Sequence, residues 1–361
     1  MPRRRGRAAA SNPQTRFEPL TVEYDPAELS ESELRQIPTQ YFEDASRSIL
    51  ARNNSLDVGF TYSINAYRGC EHGCIYCYAR PSHEYLGFSA GLDFETRILV
   101  KPEAPKLLGE AFASRSWKPQ VVALSGNTDP YQPIERKLRL SRGCLGVFLR
   151  HRNPVAIITK NALVLRDLDV LTDLARRNLV RVMISITTLQ PDLVSVMEPR
   201  TSRPRRRLEA IKALADAGVP VGVMVAPVIP GLTDDELPGI VQAAAAHGAQ
   251  RASYTIVRLP GPVKELFTQW IETEFPTRAK KVMKRIREIR GGNLTDSRFG
   301  HRMRGEGLWA ETINRMFHMA CSMAGLNASW PPLNTDSFRR LAGNQLGLFD
   351  DLPAAQTQQQ G

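Results

Sequence analysis

The chain has 361 residues, 42% of them hydrophobic, so it can bury a large core. Its most apolar stretch, residues 219–232, is interrupted by three prolines, which argues against a membrane-spanning helix. The 48 basic residues outnumber the 37 acidic ones, and the net charge of +11 favours nucleic acid or another polyanion as a partner. The basic start lacks an apolar signal segment and the cysteines are few, so we expect a reduced, cytoplasmic protein without membrane association.

Two irregular segments precede the first regular element. Residues 1–15 are basic and show no periodicity, which predicts a disordered arm. Residues 16–55 mix short apolar groups with proline and predict an irregular N-terminal strap with a short helix over residues 30–35. Residues 60–67 alternate aromatic or apolar with small polar residues, as a strand does, and run directly into a group of cysteines.

Strand and helix patterns then alternate along the chain. Apolar runs predict strands over residues 120–124, 154–159, 180–186, 219–228 and 252–257. Helical periodicity fills the intervals over residues 105–115, 134–151, 164–177, 205–217 and 234–247. With the strand before the cysteines, these form six strand–helix units. They predict a parallel sheet with outer helices, either an open doubly wound sheet or a barrel.

Three of the five cysteines, Cys70, Cys74 and Cys77, lie within eight residues. Sites rich in thiolates select zinc, copper(I) or iron–sulfur clusters. A structural zinc site normally needs four protein ligands, and the nearby candidates for a fourth are Glu71, His72 and His83. We expect His72, which precedes a glycine, to point outward. Three cysteines on a four-iron cluster would leave one iron free to bind another molecule.

Polar residues follow the other predicted strands. They are Asn127, Thr128 and Asp129, then residues 159–161, residues 187–188 and Arg258. The carboxyl ends of parallel strands lie at one edge of a sheet, where ligands bind in both candidate folds. The cysteine loop leaves its own strand at that edge, so we expect one shared active site.

The three cysteines, with Tyr76 directly before the last, resemble the signature loop of the radical S-adenosylmethionine (SAM) superfamily. The resemblance covers residues 56–260 and implies a partial (β/α)6 TIM-like barrel of the radical SAM type, with an N-terminal strap and a helical C-terminal extension. It implies that Cys70, Cys74 and Cys77 hold a [4Fe–4S] cluster whose open iron binds SAM. An electron from a reductant such as flavodoxin or ferredoxin would then cleave SAM to a 5′-deoxyadenosyl radical that abstracts hydrogen from a substrate.

The resemblance also suggests cofactor-binding residues. Tyr76 is expected against the adenine, unless it is simply a packed core aromatic. Where the family often has Gly-Gly-Glu for the methionine amino group, this chain has Asn127, Thr128 and Asp129. The remaining expected contacts, for the ribose or carboxylate, are Ser185, Thr187, Glu198 and Arg207. For the arginines of residues 203–207, a solvated basic face is the alternative.

Residues 125–135 and 226–231 resemble the superfamily branch grouped with spore photoproduct lyase and called DNA repair photolyase-like. That lyase uses a cysteine of the strand-2 loop as hydrogen donor, whereas this chain has Gly126-Asn127 there, so literal spore photoproduct repair is not expected. Cys144 and Cys321 are expected to be buried apolar residues. We therefore expect a radical SAM enzyme, lyase-like or modifying, acting on DNA. The alternatives are modification of RNA or peptide, and a zinc- or cluster-bearing nucleic-acid-binding module.

The C-terminal third differs from the barrel. Residues 261–340 predict a basic helical extension that grips nucleic acid through phosphate contacts, with Trp270, Phe299 and Trp309 to stack on bases. Residues 341–361 predict a flexible tail. In that tail, Gln345, Leu346, Leu348 and Phe349 resemble the peptide by which bacterial DNA enzymes dock on the replication sliding clamp, unless these apolar residues pack back on the barrel.

Overall fold

A computed structural model of the chain describes residues 6–17, 37–328 and 330–341. Two sequence-based predictions, the short helix over residues 30–35 and the clamp-binding peptide of the tail, lie outside the described residues. The predicted domain boundaries stay predictions.

The described residues form ten strands in two sheets. They are β1 (Gln40–Glu43), β2 (Leu50–Arg52), β3 (Tyr62–Ile64), β4 (Tyr67–Arg68), β5 (Arg97–Val100), β6 (Val122–Leu124), β7 (Val155–Thr159), β8 (Val180–Ser185), β9 (Val221–Val228) and β10 (Arg251–Ile256). The larger sheet has the order β2-β3-β6-β7-β8-β9-β10. Strand β2 is antiparallel to β3, and the other six strands are parallel. A doubly wound sheet would reverse its order, so this sequential order confirms the predicted partial barrel.

Helices connect the strands and extend the chain beyond them. They are α1 (Leu92–Thr96), α2 (Ala104–Ala113), α3 (Glu135–Leu138), α4 (Leu140–His151), α5 (Leu168–Ala175), α6 (Pro191–Met197), α7 (Pro204–Asp216), α8 (Leu237–Ala246), α9 (Val263–Glu274), α10 (Pro276–Ile289), α11 (His301–Arg304) and α12 (Leu308–Met323). Helix α7 begins with a proline in its first turn and ends before Gly218, whose φ is +74°. The helix predicted over residues 134–151 is two helices, because Arg139 between them adopts a φ of +54°.

The core lies between the parallel strands and the helices packed on them. Ile157 of β7, Ile184 of β8 and Val223 of β9 are fully buried, as are Ile211 of α7 and Ile240 of α8. Burying each such side chain stabilises the fold by about 1.5–3 kcal/mol. The strands that predicted a parallel sheet are apolar along nearly their whole length because helices pack on the sheet and bury them.

The strand predicted over residues 60–67 is split between two sheets. Strand β3 belongs to the barrel, whereas β4 pairs antiparallel with β5, which pairs in parallel with β1 in a three-stranded sheet. The cysteine loop therefore follows β4 of the small sheet, not the barrel strand itself. Its position is set by β5 and α1 as well as by the barrel.

The N-terminal segment of residues 6–17 differs from the expected disordered arm. Arg7 is buried and donates to the backbone oxygen of Glu95 at 2.7 Å. The Ala9 amide donates to the Glu95 carboxylate at 3.0 Å, and Arg16 pairs with Glu84 at 2.7 Å. A buried carboxylate needs hydrogen-bond donors. The N-terminal segment supplies such donors to Glu95, which lies directly behind the cysteine loop.

The C-terminal helices pack on the barrel. Helices α9 and α10 contact each other, and α12 packs against α8 and α10. No helix among the described residues is both long enough and apolar enough to cross a membrane.

Candidate active site

Backbone hydrogen bonds shape the cysteine loop into consecutive turns. The Cys70 amide donates to Phe94 O at 2.9 Å, the Gly73 amide to Cys70 O at 3.2 Å and the Cys77 amide to Cys74 O at 3.2 Å. Gly73 has a φ of +66°, and a Cβ added to it would lie 2.7 Å from a carboxylate oxygen of Glu95. Only glycine combines that conformation with such close approach.

A buried arginine holds this loop from behind. Arg80 donates to Cys74 O at 3.0 Å and to Gly73 O at 3.2 Å, and it pairs with Glu95 at 2.5 Å. Since both side chains of the ion pair are fully buried, their charges are satisfied by each other and by the loop carbonyls. The sequence contained no signal for this role, because an arginine three residues after the last cysteine looks like a surface residue.

The chemistry of the three loop cysteines fits a cluster. Cys70 and Cys74 are buried, Cys77 is half-buried, and all three are free thiols. Burial, together with the negative charge of neighbouring Cys70, raises the pKa of Cys77 to about 11. Three thiolates in one buried loop would be stabilised by a multiply charged metal centre. The donor set therefore fits a four-iron cluster with one iron left open.

A single-ion zinc site lacks ligands in the part of the chain that the structure describes. No group of three or more His, Cys, Asp or Glu side chains there is placed to hold one metal ion. Two of the suggested fourth ligands are engaged or enclosed elsewhere: Glu71 accepts from the Ile134 amide at 2.9 Å, and His83 is buried between the rings of Phe88 and Phe94.

The expected outward orientation of His72 is wrong. Its ring is buried, with Nδ1 3.4 Å from Asp129 and Nε2 3.1 Å from the Asn161 side-chain amide. Burial opposes its protonation, but the charges of Asp129 and Cys70 outweigh that effect and raise the pKa of His72 to about 10. The neighbouring Gly73 had suggested an exposed turn. The ring is buried instead because it interacts with the carboxylate of Asp129, which follows strand β6.

Three predicted residues and one additional lysine converge on the buried carboxylate of Glu198, which was itself a predicted residue. Glu198 accepts hydrogen bonds from Tyr76 and from Thr187, the latter at 2.6 Å, and pairs with Arg207. Lys160, which was not among the predicted cofactor contacts, lies 3.3 Å from the same carboxylate. These five residues are here called the Glu198 cluster. They come from the cysteine loop, the ends of β7 and β8, the end of α6 and the start of α7. Segments that are distant in the sequence therefore build one polar cluster.

Electrostatics keep this cluster ionised. Burial opposes ionisation of Glu198, but Arg207, Lys160 and the two hydroxyl donors outweigh it and hold the pKa of Glu198 well below its usual range. Arg207 is fully buried and also donates to Ser202 O at 2.7 Å and Ser185 O at 2.9 Å. The alternative of a solvated face is therefore wrong for Arg207 and holds for the exposed residues Arg203, Arg205 and Arg206.

The loop after β6 contributes mostly structural contacts. Both carboxylate oxygens of Asp129 are engaged, by Thr159 at 2.7 Å and by the Lys160 amide at 2.8 Å. Thr128 donates to Gly69 O at 2.7 Å. Asn127 is exposed, and its side chain makes no hydrogen bond with the described residues. Of the three residues at the position of the family's Gly-Gly-Glu segment, Asn127 therefore has the uncommitted side chain.

The remaining predictions divide between packing and surface. Cys144 and Cys321 are buried, as expected. Trp270 is also buried and donates to Val196 O at 3.1 Å, so its predicted stacking role is wrong. Phe299 is 53% exposed, and Trp309 lies beneath Arg285, whose guanidinium is 4.0 Å from the ring centre.

Comparison with known proteins agrees with this geometry. The sequence model of the radical SAM superfamily matches residues 64–244. An uncharacterized protein of Mycobacterium tuberculosis is 37% identical over 238 residues, covering 65% of this chain and 69% of that protein. Another uncharacterized protein, from Methanocaldococcus jannaschii, is 29% identical and covers 49% and 64%.

Among solved structures, spore photoproduct lyase complexed with dinucleoside spore photoproduct has a similar fold. Its TM-score is 0.56 at 17% identity, and the match covers 78% of this chain and 79% of that one. The family match begins at the last residue of β3 and includes the cysteine loop and the barrel strands β6 to β9. The chain therefore belongs to the radical SAM superfamily.

Proposed function

We propose that this protein is an enzyme in which Cys70, Cys74 and Cys77 hold a [4Fe–4S] cluster that binds SAM. Three free thiols on one buried loop, next to the Glu198 cluster at the carboxyl edge of the sheet, carry this proposal. Cluster and SAM together would supply a 5′-deoxyadenosyl radical for hydrogen abstraction. Tyr76, Glu198 and Arg207 are buried, so this part of the site is shielded from bulk water, which protects a reactive radical from quenching.

We assign Lys160 to the SAM carboxylate. Its side chain is 15% exposed, whereas the Arg207 and Glu198 side chains are completely inaccessible. Lys160 is held by Thr187 at 3.1 Å and by Ala226 O at 2.9 Å, so its ammonium is positioned before a ligand arrives. Arg207 and Glu198 then act by fixing Lys160 and Thr187.

Further cofactor contacts follow from the exposed side of the site. Asn127 is assigned to the SAM amino group because its side chain is uncommitted. Thr128 and Asp129 position the loop behind it, Ser185 lies at the end of β8, and the ring of Tyr76 borders the adenine position.

For the substrate we propose a nucleic acid, with an unpaired DNA base as the reacting group. The fold likeness to a lyase solved with a dinucleoside, the net charge and the basic C-terminal helices support this choice. A base must leave the stack to reach a radical inside a barrel. Because Gly126 and Asn127 stand where that lyase branch has its cysteine donor, we propose a different reaction from spore photoproduct repair.

The cellular setting completes the proposal. None of the five cysteines forms a disulfide, which fits a reducing cytoplasm. A flavodoxin or ferredoxin would supply the electron. The tail residues Gln345, Leu346, Leu348 and Phe349, outside the described part, would bring the enzyme to DNA by binding the sliding clamp.

Anaerobic reconstitution tests the radical chemistry. The wild type should bind about four irons per chain and release 5′-deoxyadenosine when reduced with SAM. Cys74→Ala should lose both properties, and Cys144→Ala, which removes a buried thiol outside the site, should keep both. One tightly bound zinc without iron, or undiminished 5′-deoxyadenosine from Cys74→Ala, would refute the proposal.

The substrate class is tested with deuterium-labelled SAM. Single-stranded DNA, duplex DNA, RNA and peptides are incubated separately, and products are analysed for mass change and for deuterium exchange with 5′-deoxyadenosine. A product only from RNA or only from peptides would replace DNA by the corresponding alternative.

A further inference from the structure

Arg258 is a half-buried cation at the mouth of the barrel that has no acceptor among the residues the structure describes. It lies two residues beyond the end of β10, on the same edge of the sheet as the cysteine loop. Its guanidinium makes no hydrogen bond or ion pair with the residues that the structure describes. An arginine that is partly desolvated and lacks a counter-charge will bind an anion strongly.

Tyr78 connects this arginine to the cofactor loop. The Arg258 guanidinium lies 5.1 Å from the centre of the Tyr78 ring, and Tyr78 directly follows Cys77. The Tyr78 hydroxyl donates to Gly126 O at 2.6 Å, which fixes the ring across two loops of the site. Arg258 is therefore held one side chain away from the proposed cluster loop, by a contact that leaves its donors free.

The surroundings of Arg258 are positive. Buried Arg290 donates to Val257 O at 2.7 Å, so a second guanidinium lies under the same chain segment. Asp57 is the nearby carboxylate, but it is already paired with Arg302 and accepts from the Gly300 amide at 2.6 Å. Burying the Arg258 guanidinium next to Arg302 and Arg290 costs free energy unless an anion binds there.

A basic stripe approaches this position from the C-terminal extension. Helix α10 ends at Ile289, and Arg290, its C-cap, is the residue that contacts the end of β10. Lys280, Lys284 and Arg287 follow one another along the exposed side of α10 at helical spacing. Within the described residues, the ion pair found for these three joins Lys284 to Glu288 at 3.8 Å. The helix is about 21 Å long at 1.5 Å per residue, enough to follow several phosphates of one strand.

We propose that Arg258 binds a phosphodiester of the nucleic-acid substrate at the mouth of the barrel, and that the strand continues along Lys280, Lys284 and Arg287 of α10. This inference rests on the proposed nucleic-acid substrate. The phosphate fixes the strand beside Tyr78, so that the neighbouring nucleotide faces the site. Phosphate contacts position a strand without reading its sequence, so reaction specificity must come from the barrel interior.

The test is binding of a fluorescent oligodeoxythymidylate to the anaerobically reconstituted full chain, measured by anisotropy between about 50 and 200 mM salt. Arg258→Gln should weaken binding roughly tenfold and reduce the slope of log K against log salt by about 0.7, the value for one single-strand phosphate. Arg258→Lys, which keeps the charge but loses the planar fork, should fall between Gln and wild type. Arg205→Gln, an exposed arginine on α7, should bind like wild type.

Unchanged affinity and slope in Arg258→Gln would overturn the assignment. If Arg258→Gln fails to fold, Arg258→Lys decides the question. Affinity below that of the wild type at an unchanged salt slope supports the assignment, because the charge is kept and the planar fork is lost, and wild-type affinity overturns it. A wild type that releases 5′-deoxyadenosine but binds no oligonucleotide would overturn this inference and leave the radical chemistry standing.

Discussion

The Arg80 guanidinium and the Glu95 carboxylate lie 2.5 Å apart and are both fully buried behind the cysteine loop. Glu95 also accepts from the N-terminal segment, through the amides of Ala8 and Ala9. The pair therefore connects three parts of the chain: residues 6–17, helix α1 and the loop that carries the three cysteines.

Glu95→Gln should destabilise the protein by about 3–5 kcal/mol, because it leaves the Arg80 charge buried without a counter-charge. The midpoint of urea unfolding should fall at an unchanged m value, and iron content after reconstitution should fall with it. Glu209→Gln, which breaks an exposed pair with Arg205, should change stability by less than about 1 kcal/mol. Equal midpoints for the two variants would contradict the role of the buried pair.

Gly73→Ala should destabilise the loop by about 1–3 kcal/mol. The reason is a left-handed backbone with a φ of +66° and a Cβ that would approach the Glu95 carboxylate to 2.7 Å. Gly109→Ala is the matched control, since it lies in α2 with no atom within 4 Å of the added Cβ. Gly109→Ala should stabilise the protein by roughly 0.5–1 kcal/mol, because alanine favours a helix more than glycine does. Thermal unfolding of both variants measures the difference, and a stabilised Gly73→Ala would disprove the close approach.

The apolar runs were sufficient to predict a parallel sheet with outer helices, because that depends on local periodicity, whereas the choice of a barrel came from the family resemblance of the cysteine loop. The pairing of β4 with the small sheet was not predicted, because it depends on β5, about 30 residues further along the chain. The orientation of His72 and the role of Arg80 could not be predicted. Each depends on a partner distant in sequence: Asp129 is 57 residues from His72, and Glu95 belongs to a different element from Arg80. Residues 6–15 look disordered by composition, yet they supply donors that a buried carboxylate requires.

His83 should make stability fall in mild acid. Burial lowers the pKa of His83 to about 4 from 6.5, so the unfolded chain binds more protons between these values. The stabilisation from the neutral His83 ring is fully present above pH 6.5 and is lost as the pH falls toward 4. The free energy of unfolding should decrease by about 3 kcal/mol over this range for this reason. His83→Leu should remove that part of the pH dependence of the free energy of urea unfolding, measured on metal-free protein.

The control for His83 is His318→Gln on the exposed side of α12, which should retain the wild-type pH profile. A His83→Leu variant whose stability declines in acid as steeply as the wild type would show that other groups cause the decline.

The tail should bind the bacterial sliding clamp. Leu348→Ala combined with Phe349→Ala should abolish binding of the purified clamp in surface plasmon resonance, because these side chains are the apolar anchors of the peptide. Gln358→Ala with Gln359→Ala, further along the same tail, should leave binding unchanged. Clamp affinity that survives loss of both anchors would refute the docking role.

Lys160→Met should reduce SAM affinity about tenfold or more, since a hydrogen-bonded charge contributes about 1.5–3 kcal/mol. Methionine retains much of the aliphatic stem and removes the ammonium, which lies 5.5 Å from the centre of the Tyr76 ring. Iron content should stay at the wild-type value because Lys160 contacts none of the loop carbonyls. Equilibrium dialysis of SAM against the reconstituted protein measures the loss, and Lys118→Met, an exposed lysine before β6, is the control.

Decarboxylated SAM separates a contact with the carboxylate from a general loss of positive charge. The wild type should prefer SAM over this analogue, and Lys160→Met should have lost most of that preference, because the group that Lys160 binds is missing from the analogue. If Lys160→Met weakens both ligands by the same factor, the lysine acts on the site as a whole, and the carboxylate assignment is wrong.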